Sequence, residues 1–308
     1  MVFWLQEMKY IKYIDKYCHS LKGKIVVITG ANSGIGFTLS RQICYLGGHV
    51  VMACRCFERA EDAKKKILEE ISDANIDILH YDQASFDSIK EFVKELKSKY
   101  SRIDALVLNA GIYHPKDSLL TVDGIPLTLG VNFVGAFLLG EELKDYLKDC
   151  GTEINIVTSL VKNFVKGRNI KKEFNNKKGN AHAYSVSKRY DVSLAVYLHD
   201  ELGESCKITL SHPGIASTNI INGQASSFSR NFKKVARKTM RLFNNPAEKS
   251  SLTMLRALFH EDVENFDCFV PRGLFHAGGY PKKIKIAPDK FRNNHLIEFT
   301  KELISSKN

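Results

Sequence analysis

The chain has 308 residues, 44% of them hydrophobic and 26% charged. That balance is ordinary for a folded globular protein and excludes a mainly disordered, collagen-like or small disulfide-stapled chain. Lys and Arg outnumber Asp and Glu by 45 to 34, a formal charge of +11; this is compatible with a phosphate-bearing ligand, an anionic membrane or nucleic acid, and selects none of them.

The first 21 residues read as an amphipathic extension. Phe3, Trp4, Met8, Ile11 and Ile14 can share one helical face, for packing on the body, an oligomer contact or a membrane. The extension lacks the apolar core of a signal peptide, and no stretch reaches the ~18 apolar residues of a membrane-spanning helix. The seven cysteines include no CxxC pair and no zinc spacing. The expectation is a cytoplasmic protein with reduced thiols.

From Lys24 two patterns alternate. Short runs rich in β-branched residues read as buried strands: 24–29, 49–54, 76–81, 104–109, 153–158 and 207–212. Between them, helices are predicted at 34–47, 57–71, 86–99, about 124–149 and 182–203. In the third of these, Phe86, Ile89, Phe92, Val93 and Leu96 share one face. Fully apolar strands alternating with helices imply a parallel sheet covered on both faces. Right-handed crossovers then give a doubly wound α/β architecture, a single domain over 22–308. Residues 160–182, rich in Lys and Asn, read as a surface insertion, and 213–250 as a helical cap over the substrate side.

The turn after the first strand is Thr29-Gly30-Ala31-Asn32-Ser33-Gly34-Ile35-Gly36. A strand, a glycine-rich turn and a helix N-terminus form an anion site, with backbone N–H groups free to meet a pyrophosphate. The second strand ends at Cys54-Arg55, where NAD-binding units usually carry an acid for the ribose 2′-OH. An arginine there can fork onto a 2′-phosphate. NADP(H) is therefore the expected cofactor, with NAD(H) less favoured. Asp82 can accept a bond from the adenine amino group. Asn109-Ala110-Gly111 closes the fourth strand at the carboxyl edge of the sheet, where small residues leave room for the adenosine half.

Ser159 ends the fifth strand. Tyr184 and Lys188, four apart, share a face of the next helix. A free phenol titrates near pH 10, and a neighbouring ammonium is expected to lower that value. Tyr184 can then serve as general acid or base, with Ser159 holding the substrate oxygen. His182 and His212 have no zinc-like spacing and read as structural, so no metal is expected.

These residues, in this order, resemble the short-chain dehydrogenase/reductase family: TGANSGIG at 29–36, NAG at 109–111, Asn132, Ser159, Tyr184-x-x-x-Lys188, and Pro213-Gly214 followed by Thr218. The resemblance implies a Rossmann fold and a Ser–Tyr–Lys catalytic set. It also implies a water-linked proton relay from Lys188 organised by Asn132, and Pro213, Gly214 and Thr218 at the nicotinamide end. Dimers or tetramers are common in that family. The 25-residue gap from Ser159 to Tyr184 and the Ala-Cys-Arg ending of strand two are similar to its retinol dehydrogenase-like branch, which implies a lipophilic carbonyl or alcohol substrate. Leu108 and Pro126 depart from the family's common pattern.

In the cap, Phe228, Phe232, Val235, Ala236, Met240 and Phe243 alternate with cations at helical spacing. Such a basic amphipathic helix suits a lid, or peripheral contact with an anionic membrane. A non-catalytic nucleotide-binding sensor is the competing reading of the whole chain, since fold alone does not assign activity. No zinc finger, RNP-like or bZIP signature supports nucleic-acid binding.

Overall fold

The computed structural model describes residues 2–113, 119–166, 169–176, 181–214 and 245–307. Helix α1 (Val2–Tyr17) leads into β1 (Ile25–Thr29), α2 (Gly34–Tyr45), β2 (His49–Cys54), α3 (Phe57–Glu70), β3 (Asn75–His80), α4 (Phe86–Lys99) and β4 (Ala105–Leu108). A helix in three stretches follows, here α5: Leu127–Leu129, a π turn over Gly130–Val134, and Gly135–Cys150. Next come β5 (Glu153–Val157), a 3₁₀ turn (Leu160–Phe164), α6 (Ile170–Asn175), α7 (Ala181–Leu202) and β6 (Ile208–Ser211). The chain closes with α8 (Ala247–Ser250), α9 (Leu252–Ala257), β7 (Asp267–Pro271), β8 (Pro281–Lys285) and α10 (Asn294–Ser305).

The sheet order is β3-β2-β1-β4-β5-β6-β7-β8. Seven strands run parallel, with Val26 opposite Val50 and Val27 opposite Leu106; β8 returns antiparallel, with Phe269 opposite Lys283. All six predicted strands are present. The last two lie beyond them. Edge strand β8 exposes Lys282, Lys283 and Lys285, charges that discourage further pairing.

Strand alternation builds two cores. Val27, Val51 and Ala53 face α4, α5 and α7, whereas Val26, Ile28, Val50 and Met52 face α2 and α9. The chain reaches β1 at mid-sheet, winds outward to β3 and crosses back to β4. That reversal opens a crevice at the carboxyl ends of β1 and β4.

The second half of α1 packs on the body, settling one question about the extension. Ile14 is buried with Leu39 and Ile43, and Tyr13 stacks on Tyr280 at 4.9 Å. Segment 160–182 is not wholly superficial, as its composition suggests. Lys162 is only 1% exposed, and Phe174 packs on Phe299 and Tyr190. Of the predicted cap, 215–244 lies outside the described residues, including the basic amphipathic helix and Thr218. Its end is described: Gln42 donates to the Glu248 carbonyl at 2.8 Å, which fixes α8 against α2.

Candidate active site

The crevice opens into a cleft of about 290 Å³. Of the residues singled out in the sequence for cofactor binding, Gly30, Asn32, Ser33, Gly34, Ile35, Gly36, Arg55, Asp82, Asn109, Ala110 and Gly111 line it. Gly30 has φ +68°, and a Cβ there would lie 3.2 Å from the Ala110 Cα. A Cβ on Gly36 would fall 2.4 Å from the Gly30 carbonyl oxygen. The turn and the first coil of α2 therefore touch backbone to backbone, with the Asn109 amide set against both. Ser33, the N-cap of α2, makes no side-chain capping bond, so no capping side chain takes up the helix's first N–H groups. This cradle fits a dinucleotide pyrophosphate.

The loop is pinned from below. Thr29 Oγ1 accepts from the Asn109 and Ala110 N–H groups, both at 2.9 Å, and the Asn109 amide donates to the Thr29 carbonyl at 2.8 Å. Asn109 thus ties β4 to β1 directly. Arg55 is exposed at the cleft mouth, and Arg59, one helical turn further on, lines the same wall. The carboxylate of Glu58 accepts from the Cys56 thiol at 3.1 Å.

Asn132 lies in the π turn, a distortion of α-helices common at functional sites. It is buried, and its Oδ1 accepts from the Ile112 N–H at 2.7 Å. Its amide donates to the Ile112 carbonyl and to Ser187 Oγ. Asn132 therefore clamps the β4 loop to α7. Lys188 Nζ donates to the Val157 carbonyl at 2.9 Å and to Asp191 Oδ2 at 2.8 Å. A Cβ on Gly111 would lie 3.7 Å from that ammonium, so the lysine borders the cleft's inner end. Ser159 hydrogen-bonds Tyr184, and the Tyr113 ring meets the Tyr184 ring edge-on at 4.6 Å.

The charges depart from the simplest expectation. Tyr184 titrates above an ordinary phenol. Burial, the largest influence, raises it, and Asp191 adds to that; together they outweigh the lowering by Lys188 and by the Ser159 bond. Burial opposes the charge of Lys188, but Asp191 and Tyr184 prevail and raise it. Burial also raises Asp191, against the pull of Lys188.

Residues 24–227 match the short chain dehydrogenase family. The chain belongs to this family. Retinol dehydrogenase 14 of Mus musculus is 32% identical over 216 residues, covering 65% of this chain and 63% of that protein. The WW domain-containing oxidoreductase of Gallus gallus is 41% identical over 128 residues, 42% of this chain and 31% of that protein. The chain thus covers less than two thirds of the length of these relatives. Among solved structures, levodione reductase superposes with a TM-score of 0.65 at 20% identity, covering 79% of this chain and 92% of its own; that likeness concerns the fold.

Within this short-chain dehydrogenase, sequence reasoning missed four residues around the site. Arg59 follows Arg55 at i+4, a spacing that would have found it. Gln83 is buried beside Asp82 and donates to the Val131 and Ala110 carbonyls, joining the π turn to β4. Tyr113 stands two residues past Gly111. Asp191 stands one helical turn past Lys188, a neighbour whose burial only the fold reveals. His182 bonds Glu173 on α6 at 2.9 Å, and His212 is buried.

Proposed function

We propose that the protein is an NADP(H)-dependent oxidoreductase that interconverts a lipophilic carbonyl and its alcohol. One observation carries the reading: Ser159 hydrogen-bonds Tyr184, the Lys188 ammonium lies 5.9 Å from the centre of the Tyr184 ring, and a Cβ on Gly111 of the cleft wall would lie 3.7 Å from that ammonium. Arg55 and Arg59 at the cleft's outer end offer two guanidinium groups to a 2′-phosphate. Gly30, Ser33, Gly34 and Gly36 would hold the pyrophosphate; Asp82, Asn109, Ala110 and Gly111 would border the adenosine; Pro213, Gly214 and Thr218 would border the nicotinamide. Bound cofactor supplies or accepts the hydride.

The chain's residues do the rest. Ser159 and Tyr184 hold the carbonyl oxygen and stabilise its developing negative charge. Burial keeps the Tyr184 phenol protonated at neutral pH, so it can donate that proton to the forming alkoxide. Lys188 holds positive charge beneath it, and Asn132 fixes the loop that frames them. The retinol dehydrogenase names of two relatives and the Tyr113 ring beside Tyr184 support a lipophilic substrate.

The test is consumption of NADPH and of NADH by the purified protein across carbonyls from small aldehydes to retinal and steroid ketones. NADPH-selective turnover that Tyr184→Phe abolishes is expected. A preference for NADH would overturn the role given to the two arginines. Tight cofactor binding without turnover of any carbonyl would favour a sensor.

A further inference from the structure

Helix α7 is buried almost without break from Tyr190 to Leu198. A carboxylate in such a stretch is costly unless something compensates it. Asp191 is 2% exposed, and its Oδ2 accepts a hydrogen bond from the ammonium of Lys188 at 2.8 Å. Nothing in cofactor binding or hydride transfer requires an acid there.

We infer that Asp191 is a positioning residue that orients the Lys188 ammonium and offsets its charge, thereby setting how readily Tyr184 gives up its proton. The inference rests on the catalytic reading of Tyr184 and Lys188 above. An ammonium has three N–H donors. The Val157 carbonyl takes one and Asp191 the second, which leaves the third for the cleft beside Gly111. The same contact places a negative charge against the positive one that Tyr184 faces. Lys188 alone would favour the phenolate; Lys188 paired with Asp191 favours it less. The groups acting on Tyr184 are Lys188, Asp191, Ser159 and Tyr113; those acting on Lys188 are Asp191 and Tyr184; Asp191 is acted on by Lys188. Burial raises Tyr184 most, and Asp191 offsets part of the lowering by Lys188; the phenol is thereby a retained acid, suited to protonating an alkoxide during carbonyl reduction.

The experiment is a titration of Tyr184 by tyrosinate absorbance, each protein read against its own Tyr184→Phe counterpart. Asp191→Asn keeps the shape and removes the charge; it should move the Tyr184 titration down by about one pH unit or more. Asp191→Glu keeps the charge and should leave the titration within a few tenths of a unit of the parent. If asparagine is not accommodated, Asp191→Ser is smaller, also removes the charge, and is read the same way. In a turnover assay, the pH at which carbonyl reduction declines should fall by the same amount. An unmoved titration in the charge-removing variant overturns the inference, as does an equal shift in Asp191→Glu. Because the titration needs no substrate, a protein that turns nothing over but shows the shift would refute the catalytic reading alone.

Discussion

His212 follows β6 immediately before Pro213 and Gly214, and it offers a quantitative test of the electrostatics around the site. Burial, then the charges of Lys162 and His276, push it from 6.5 down to about 3, and its Nδ1 has no hydrogen-bond partner among the described residues. In the folded protein the ring therefore stays neutral in mild acid, while in the unfolded chain it takes up a proton below about pH 6.5. The unfolded state binds more protons across that interval, so stability is fully present above it and is lost as the pH falls towards 3. The slope is about 1.4 kcal/mol per pH unit, so His212 alone should remove about 2–3 kcal/mol between pH 7 and about 4.5. The assay is urea unfolding at those two pH values for the parent and His212→Gln. Other titrating groups are common to both proteins and cancel in the difference. The parent should lose about 2–3 kcal/mol more than the variant on acidification. Equal losses within about 0.5 kcal/mol would show that the ring is hydrated or paired, and would refute the argument from burial.

Gly36→Ala drives a methyl group to within 2.4 Å of the Gly30 carbonyl, so it should cost about 1–3 kcal/mol in thermal unfolding and weaken cofactor binding in a fluorescence titration; an unchanged affinity would separate the cradle from the cofactor. Arg55→Ala and Arg59→Ala should each weaken NADPH about tenfold, leave NADH affinity unchanged, and lose their effect in high salt, because exposed charges are screened. Gln83→Leu removes the donor that joins the Val131 and Ala110 carbonyls and should destabilise the fold by about 1–3 kcal/mol in chemical denaturation, with an effect below about 0.3 kcal/mol counting against the link.

The central sheet was legible because its strands are short, apolar and β-branched, a pattern that survives without tertiary information. Strands β7 and β8 were hidden for the opposite reason. DCFVP carries an acid and a proline, and PKKIK is an edge strand whose exposed lysines read as loop. The glycine cradle was legible because close backbone approach demands glycine itself, as Gly36 illustrates. Lys188 lowers Tyr184, as their shared helix face predicts, but spacing does not reveal the desolvation that outweighs it. Asp191 escaped notice for a related reason: in the sequence it is an ordinary acid one turn along a helix, and only burial turns it into a constraint. Arg59 is different, since its i+4 relation to Arg55 was visible from the start.

The π turn over Gly130–Val134 makes the helix sensitive to its own length. It holds one more residue per turn than its flanks, so removing any single residue from it would restore an uninterrupted α-helix. Each residue of an α-helix turns the chain by about 100°, and the wider π turn takes up its extra residue with little change in the phase of the helix on either side. After such a deletion both flanking stretches would keep their places, and the change would fall on the turn itself. Its residues would point in new directions about the axis, taking the Asn132 amide off Ile112 and the Val131 carbonyl off Gln83. Substitutions in this turn can be absorbed one side chain at a time; a one-residue deletion re-aims the turn as a whole, and should disable the site even in a protein that still folds.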